Sequence, residues 1–224
     1  MYIAAYKPAG SLVTATDPHG RRTLFQAVSS LPGGLFAVGR LDNESEGLVL
    51  LTNDGILGHR LAHPRYQVER VYEVAVIGDV DDALAVRLRH GIELEDGVAR
   101  AREARIIGRH EGTTVLRMTL TEGKKREIRR MLAACGCEVR ALKRTCFGGV
   151  GLGDLNEGEW RHLSRDELRT LRSNATSIPR AAGEGPAGTE DRNGGTEGRR
   201  AGTEGKDGSA SVSRGRGRPE RADG

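Results

Sequence analysis

Residues 39–55 read GRLDNESEGLVLLTNDG, a segment with four acidic residues and parts of two apolar runs. The runs LFAVGRL and GLVLLTN are short and continuous, which predicts two buried strands. The second run ends at Asn53-Asp54-Gly55, a sequence typical of a turn. Asp54 is suited to cap a following helix, ILGHRLAHP, which Pro64 ends.

Strand-like and helix-like segments are interspersed over the rest of the chain. Further strands are expected in YIAAY, SLVTAT, VERVYEVAVIG, ARAREARIIG, TTVLRMTLTEG, EVRALKRTCFGGVGL and RHL. Further helices are expected at 23–28, VDDALAVRLRHG, KKREIRRMLAACG and SRDELRTLRS, the last with Ser164 and Glu167 as a capping box. Because several neighbouring strands are joined by short turns, we predict an α+β fold with a central, mainly antiparallel sheet and flanking helices.

The composition excludes several classes of protein. The chain has 224 residues, with 35 Lys and Arg against 31 Asp and Glu, a net charge of +4. It contains no apolar run near the roughly 18 residues of a membrane-spanning helix. Its N-terminus lacks the pattern of a secretory signal, and three cysteines do not suggest an exported disulfide scaffold. We therefore expect a cytoplasmic protein without a membrane partner.

The C-terminal segment differs in composition from the body. Residues 180–224 contain no aromatic residue and almost no branched aliphatic residue. Such a segment buries too little apolar surface to offset its conformational entropy. We predict a folded domain at 1–179 and a disordered tail at 180–224. Its locally basic end, SRGRGRPER, allows two interpretations: a solubilising tail without a specific role, which we favour, or an arm that adds RNA affinity.

The acidic residues between the two apolar runs allow three interpretations. Asp42, Glu44 and Glu46 match the first half of a calcium-loop pattern, but Asn53 stands where the bidentate glutamate belongs. A second interpretation is a glycosidase-like pair of Asp42 with one of the two glutamates. The third is a turn capped by Asp42, which spacing alone favours.

Two histidines are the strongest candidates for a metal site. His59 and His63 are four residues apart on a predicted helix, a spacing that suits zinc. Arg60 replaces the glutamate of zinc proteases, and no third ligand lies near. We therefore interpret both as ordinary helix residues and expect no metal.

The main basic cluster lies between residues 122 and 144. It holds eight Lys and Arg against three Glu, a net charge of +5. On the predicted helix, the apolar stripe that includes Ile128 and Met131 faces the core and the cations face outward. Such a surface suits a phosphate backbone, although a solvated helix face has the same pattern.

Five segments in order resemble a known family. They are GRLD (39–42), GLVLLTNDG (47–55), RVYEV (70–74), EGKKREIRRML (122–132) and VRALKRTCFGGVGL (139–152). Their order and spacing are similar to the successive motifs of RsuA-type pseudouridine synthases over about residues 2–170. The resemblance implies a pseudouridine synthase fold with a cleft across the sheet. It implies an enzyme that converts a uridine of structured RNA to pseudouridine without a cofactor.

The resemblance also implies roles for three residues. Asp42 takes the nucleophilic role, whether its carboxylate adds to the sugar or base or removes a sugar proton. Arg129 is the cation expected beside Asp42, because a partly buried carboxylate stays ionised more readily next to a guanidinium. Tyr72 matches the tyrosine that stacks on the target base, and its hydroxyl is able to help move a proton.

Basic residues around this site are the expected RNA contacts, since the target base must be extruded from folded RNA. They are Arg40, Lys124, Lys125, Arg126, Arg130, Lys143 and Arg144. The first predicted strand begins at residue 2, so the sequence resembles the short subgroup without an S4 RNA-binding domain. That subgroup implies 23S ribosomal RNA as the favoured partner, and we expect a monomer. The alternative is a non-catalytic ribosomal RNA-binding assembly factor that has kept the fold.

Overall fold

The computed structural model of the chain describes residues 1–176, which form an α+β fold. The strands are β1 (Tyr2–Lys7), β2 (Phe36–Val38), β3 (Glu46–Thr52), β4 (Arg70–Ile77), β5 (Ile92–Leu94), β6 (Gly97–Ala99), β7 (Glu103–His110), β8 (Thr113–Leu120), β9 (Val139–Phe147), β10 (Val150–Gly151) and β11 (Trp160–His162). The helices are α1 (Leu24–Ala27), α2 (Gly55–Ala62), α3 (Asp82–His90), α4 (Glu127–Ala134) and α5 (Arg165–Asn174). The predicted tail at 180–224 lies outside the described residues, as does the domain boundary after residue 179.

Nine of these strands form one sheet in the order β11-β1-β3-β9-β4-β8-β7, with β2 beside β3 and β10 beside β9. Within residues 1–176 its strand pairings are antiparallel except that of β3 with β9. The prediction of a mainly antiparallel central sheet is therefore confirmed. The parallel pairing consists of Glu46 with Lys143 and Gly47 with Arg144. We call this short pairing the seam, because it joins the two halves of the sheet.

The central strand β3 is apolar without alternation because both of its faces are buried. Val49 and Leu51 pack into a core on one face of the sheet. Leu48 and Leu50 pack into a second core on the other face, together with Phe147. Successive side chains of a strand point to opposite faces, so a strand between two cores reads as one continuous apolar run.

The helix starts predicted at Asp54 and Ser164 are confirmed by their capping contacts, whereas α4 begins at Glu127, three residues after the predicted start, without a side-chain cap. The Asp54 side chain accepts a hydrogen bond from the amide of Leu57 at the start of α2. Ser164 and Glu167 form the predicted capping box of α5. None of the helices in residues 1–176 is long and apolar enough to cross a membrane.

The strand predicted in SLVTAT is wrong. Residues 11–16 are irregular and make one isolated bridge, between Leu12 and Thr23. The position beside β1 that a hairpin partner needs is already taken, since β3 and β11 flank β1 on its two sides. The displaced segment instead forms a loop that reaches the site described below.

Candidate active site

A cavity of about 790 Å³ lies beside the seam. One wall is the irregular loop 12–21, and a second is the loop 39–45 between β2 and β3. The third is the segment 122–128 that leads into α4. Tyr72 on β4 and Arg144 on β9 line it from the sheet. The cavity therefore collects residues from most of the motifs that resemble the pseudouridine synthases.

Asp42 lines this cavity with its side chain half-buried. The amide of Ser45 donates to the carbonyl oxygen of Asp42 at 3.1 Å, which closes a turn just before β3 begins. Among residues 1–176, no cation lies within 4.0 Å of its carboxylate and no side-chain hydrogen bond engages it. The carboxylate is therefore available to a ligand in the cavity.

Lys7 holds the loop that carries Asp42. Its side chain is fully buried, and its ammonium donates to the carbonyl oxygens of Ser45 at 2.5 Å and Asn43 at 3.2 Å. Burial lowers the pKa of Lys7 to about 8, and the negative charge of Asp42 acts in the opposite direction. A buried positive charge thus lies behind the loop, where it attracts the Asp42 carboxylate.

Tyr72 and Arg144 are paired neighbours on adjacent strands, β4 and β9. Tyr72 is 8% exposed and Arg144 is 2% exposed, and both line the cavity. The Nε of Arg144 donates to the carbonyl oxygen of Leu48 at 2.7 Å. The strands thus fix an aromatic ring and a guanidinium on the cavity floor.

Arg129 lies in the first turn of α4 and contacts the Asp42 loop, but through a different residue than predicted. Its Nε is 3.6 Å from the carboxylate of Glu44, and its Nη1 donates to the carbonyl oxygen of Val139 at 3.3 Å. Glu44 also pairs with Arg126 at 3.1 Å. The predicted ion pair of Arg129 with Asp42 is therefore replaced, because Glu44 lies two residues further along the loop and reaches α4.

The predicted RNA contacts divide into two groups. Five line the cavity: Arg40, Lys124, Lys125, Arg126 and Arg144. Arg130 is instead bound by both oxygens of Asp96, at 2.7 and 3.0 Å. The ammonium of Lys143 lies 4.9 Å from the centre of the Tyr6 ring. Arg144 is 2% exposed on the cavity floor, and the phosphate contact expected for it stays a prediction.

Sequence reasoning missed Glu127, which lines the cavity at the start of α4 and is 4% exposed. Its Oε2 accepts a hydrogen bond from the amide of Lys124 at 3.0 Å. Burial raises the pKa of Glu127 to about 7, and a hydrogen bond with Glu122 adds to this rise. The sequence carried no clear signal for this contact, because Glu127 is the first residue of α4, whereas a capping box places its glutamate at the third helical position.

Two arginines of the cavity wall were also missed. Arg21, in the loop 12–21, forms an ion pair of 2.6 Å with Asp17. Arg70 is buried, and its two Nη atoms donate to backbone carbonyl oxygens, including those of Val68 and Leu61 at 3.0 Å. No periodicity marks an irregular loop, and a buried arginine on a strand has no signature in a single sequence.

The histidines considered as metal ligands have a local role. The rings of His59 and His63 lie 5.2 Å apart, and the Nδ1 of His63 accepts from the amide of Arg65 at 3.2 Å. This contact caps a short 3₁₀ turn at Pro64–Tyr66. In the described part of the chain, no three His, Cys, Asp or Glu side chains are grouped as a metal site would require.

The arrangement suits a reaction at an electron-poor carbon of an aromatic or sugar ligand. A carboxylate in a partly enclosed cavity is able to act as a nucleophile or a base. An aromatic ring on the floor offers a stacking surface for a planar ligand. Cations along the rim attract an anionic ligand such as a polyphosphate chain.

Comparison with known proteins agrees with this chemistry. Residues 1–134 match the family described as RNA pseudouridylate synthase. An uncharacterized RNA pseudouridine synthase of Aquifex aeolicus is 44% identical over 172 residues, which are 76% of this chain and 69% of that protein. Ribosomal large subunit pseudouridine synthase B of Bacillus subtilis is 34% identical over 175 residues, which are 77% of this chain and 72% of that protein.

A solved structure supports the same assignment. The crystal structure of a pseudouridylate synthase superposes with a TM-score of 0.66 at 31% identity. The match covers 76% of this chain and 73% of the other. The family match thus spans more than half of the chain, and both sequence relatives and fold agree with it. This chain belongs to the RNA pseudouridine synthase family of enzymes.

Proposed function

We propose that the protein converts a specific uridine of large-subunit ribosomal RNA to pseudouridine, with Asp42 as the nucleophile. The observation that carries the proposal is the Asp42 carboxylate, which has no ion-pair partner within residues 1–176 and lies in a cavity with Tyr72. The large-subunit substrate is inferred from the name of the Bacillus subtilis relative.

The proposed reaction begins with extrusion of the target uridine from folded RNA. Unstacking a base costs a few kcal/mol, which contacts with the protein must offset. Tyr72 presents a ring on which the extruded uracil stacks. Lys124, Lys125 and Arg126 lie on the rim, where the phosphates on either side of the target pass.

Each proposed route for Asp42 needs an ionised carboxylate near the C1′–N1 bond. The buried ammonium of Lys7 holds the backbone of the Asp42 loop from behind, through the carbonyl oxygens of Ser45 and Asn43. Arg129 contributes as a positioning residue, since its contact with Glu44 fixes the same loop against α4. The carboxylate then attacks the sugar or base, or removes a sugar proton. When C5 of the uracil is joined to C1′, the carboxylate leaves the carbon that it attacked, taking back its electron pair, or returns the proton to the sugar.

Substitution of Asp42 tests the proposal. In a deletion strain complemented with wild type, we expect one uridine of the large-subunit RNA to be converted to pseudouridine. Asp42→Asn should abolish the conversion while melting temperature and RNA affinity stay at wild-type values. Asp79→Asn is the matched control, because its exposed carboxylate pairs with Arg109 outside the cavity.

Two results would count against the proposal. If Asp42→Asn forms pseudouridine at the wild-type rate, Asp42 is not the nucleophile. A ribosomal RNA whose pseudouridines are identical with and without the protein would favour the alternative, a binding factor without catalysis. Conversion of a small-subunit uridine would keep the chemistry and change the substrate.

A further inference from the structure

Arg144 carries a buried charge that the folded protein leaves only partly satisfied. Its side chain is 2% exposed, and its Nε donates to the carbonyl oxygen of Leu48. Its Nη2 is buried without a hydrogen-bond partner among residues 1–176. The same residues offer no carboxylate within 4.0 Å of the guanidinium. An unpaired polar atom of a buried charge is costly, which suggests that a ligand supplies the missing acceptor.

A second buried arginine provides a direct comparison. The guanidinium carbons of Arg70 and Arg144 lie 4.8 and 5.0 Å from the centre of the same ring, that of Phe147. Both Nη atoms of Arg70 donate to backbone carbonyl oxygens. Burial lowers the pKa of Arg70, and the positive charge of Arg144 adds to this effect. Only Arg144 combines the buried charge with a free donor.

The free donor is close to the proposed chemistry. Arg144 is the register partner of Tyr72, the proposed stacking residue, and both line the cavity with Asp42. A uracil stacked on a ring at this position carries its two carbonyl oxygens in its own plane. Those oxygens are the strongest hydrogen-bond acceptors of the base, and a guanidinium donates well to planar acceptors.

We infer that Arg144 is a further catalytic residue, whose Nη2 donates to a carbonyl oxygen of the target uracil and stabilises the base as it leaves the sugar. The inference rests on the proposed pseudouridine synthase function of this cavity. It replaces the role predicted from the sequence, in which Arg144 contacts an RNA phosphate.

The charge balance shows when this donor acts. As C1′–N1 breaks, its electron pair stays on the uracil, whose negative charge spreads over N1, O2 and O4. When C5 bonds to C1′, an electron pair of the same uracil anion forms the new bond. C5 then loses its proton and N1 gains one, so the product is an isomer of the substrate. A fixed donor near O2 or O4 is strongest while the base is an anion, which lowers the barrier.

The test combines variants with altered substrates. Arg144→Lys keeps a charge, Arg144→Gln keeps a donor, and Arg70→Lys is the matched control. Each is assayed in single-turnover reactions on large-subunit RNA transcripts that contain uridine, 2-thiouridine or 4-thiouridine. Sulfur is a poor hydrogen-bond acceptor. Replacing the uracil oxygen that Arg144 contacts by sulfur should therefore lower the reaction rate of the wild type.

On uridine, we expect both Arg144 variants to lose about 100-fold in rate, the cost of one such donor, with RNA affinity unchanged. The thio substitution that slows the wild type should then cause little further loss of rate in the Arg144 variants. Arg70→Lys should show the same ratio of rates on uridine and thiouridine RNA as the wild type. If Arg144 had only a structural role, the effects of the variant and of the thio substitution would instead be additive.

Several results would overturn the inference while leaving the proposed function intact. One is a wild-type rate in the Arg144 variants, and another is a thio effect of equal size in wild type and variants. If the Arg144 variants fail to fold, the wild type alone decides, because a rate unaffected by either thio substitution excludes a contact with O2 or O4. If the wild type forms no pseudouridine on the RNA that contains unmodified uridine, the proposed function itself is rejected.

Discussion

The ammonium of Lys7, at the end of β1, donates a hydrogen bond of 2.5 Å to the carbonyl oxygen of Ser45. Ser45 in turn closes the turn that begins at Asp42. The end of an interior strand is thus tied to the loop of the proposed nucleophile by a fully buried charge. The position of Asp42 therefore depends on a residue outside its own motif.

Lys7→Met tests this dependence. The variant keeps the apolar stem but removes the ammonium donor from the carbonyl oxygen of Ser45, whereas that of Asn43 keeps the amide of Gly10. Unfolding in urea should show a loss of about 1–3 kcal/mol, the cost of unsatisfied buried polar groups. Single-turnover rates should fall as well, because the Asp42 loop is released. Lys125→Met, on the exposed rim, should keep wild-type stability, and an equally stable Lys7→Met would contradict the proposed tie.

Glu127 gives a prediction for pH dependence. Its pKa in the folded protein is about 7, above its ordinary value of 4.5. Between these values the folded state binds more protons than the unfolded state, so the contribution of Glu127 to stability is full at low pH and is lost as pH rises to about 7. Glu127→Gln removes the ionisation and keeps the acceptor for the Lys124 amide.

The measurement is the free energy of unfolding of Glu127→Gln and wild type from pH 5 to pH 8, about the span of the shift. We expect equal stability at the acidic end and a variant more stable by about 2 kcal/mol at the basic end. Glu157→Gln, an exposed residue with no ion pair among residues 1–176, is the control. A stability difference that does not change with pH would show that Glu127 does not titrate in this range.

The secondary structure was largely predictable from the sequence because its signals are local. Caps such as Asp54 and Ser164 mark helix starts within four residues of the groups that they bind. The apolar run of β3 reports burial on both faces of the sheet. The strand predicted in SLVTAT failed because strand pairing is decided by the distant segments β3 and β11, which occupy both sides of β1.

The site was predictable only through the resemblance, and only in part. The resemblance implied one cleft with Asp42, Tyr72 and Arg129; the first two line the cavity, and Arg129 is not among its lining residues. The motifs did not indicate that Glu44 binds Arg129, because that contact depends on the path of a loop 85 residues away in sequence. The motifs also did not indicate which of two adjacent basic residues is buried. Arg144 is 2% exposed on the cavity floor, whereas the ammonium of Lys143 lies against the ring of Tyr6.

Gly47 provides a prediction about the seam. Its φ of +104° is a conformation that other residues rarely adopt, and an added Cβ would clash with the backbone carbonyl oxygen of Arg144 and lie 2.8 Å from its amide nitrogen. Gly47→Ala should therefore lower the free energy of unfolding by about 1–3 kcal/mol and reduce activity, because the seam positions Arg144. Gly112→Ala, also at positive φ but with open space around its Cβ, separates the cost of strain from that of the clash. If both variants lose the same free energy of unfolding, the backbone around residue 47 has shifted enough to remove the clash with Arg144.

The two classes of basic residue predict different effects on RNA binding. Arg126 lies on the cavity rim, whereas Arg130 is held by both oxygens of Asp96 and does not line the cavity. Arg126→Ala should weaken binding of large-subunit RNA and reduce the slope of log affinity against log salt by about 0.7–0.9, the value for one lost phosphate contact.

Arg130→Ala removes the same formal charge and serves as the control. Its slope should match that of wild type, because Arg130 does not line the cavity and therefore lies outside the proposed phosphate path. Titrations at several salt concentrations distinguish the two variants. If both reduce the slope equally, RNA responds to the net charge of the helix face, and the cavity rim has no special role in binding. A change confined to Arg126→Ala means that the phosphate path follows the rim past Asp42.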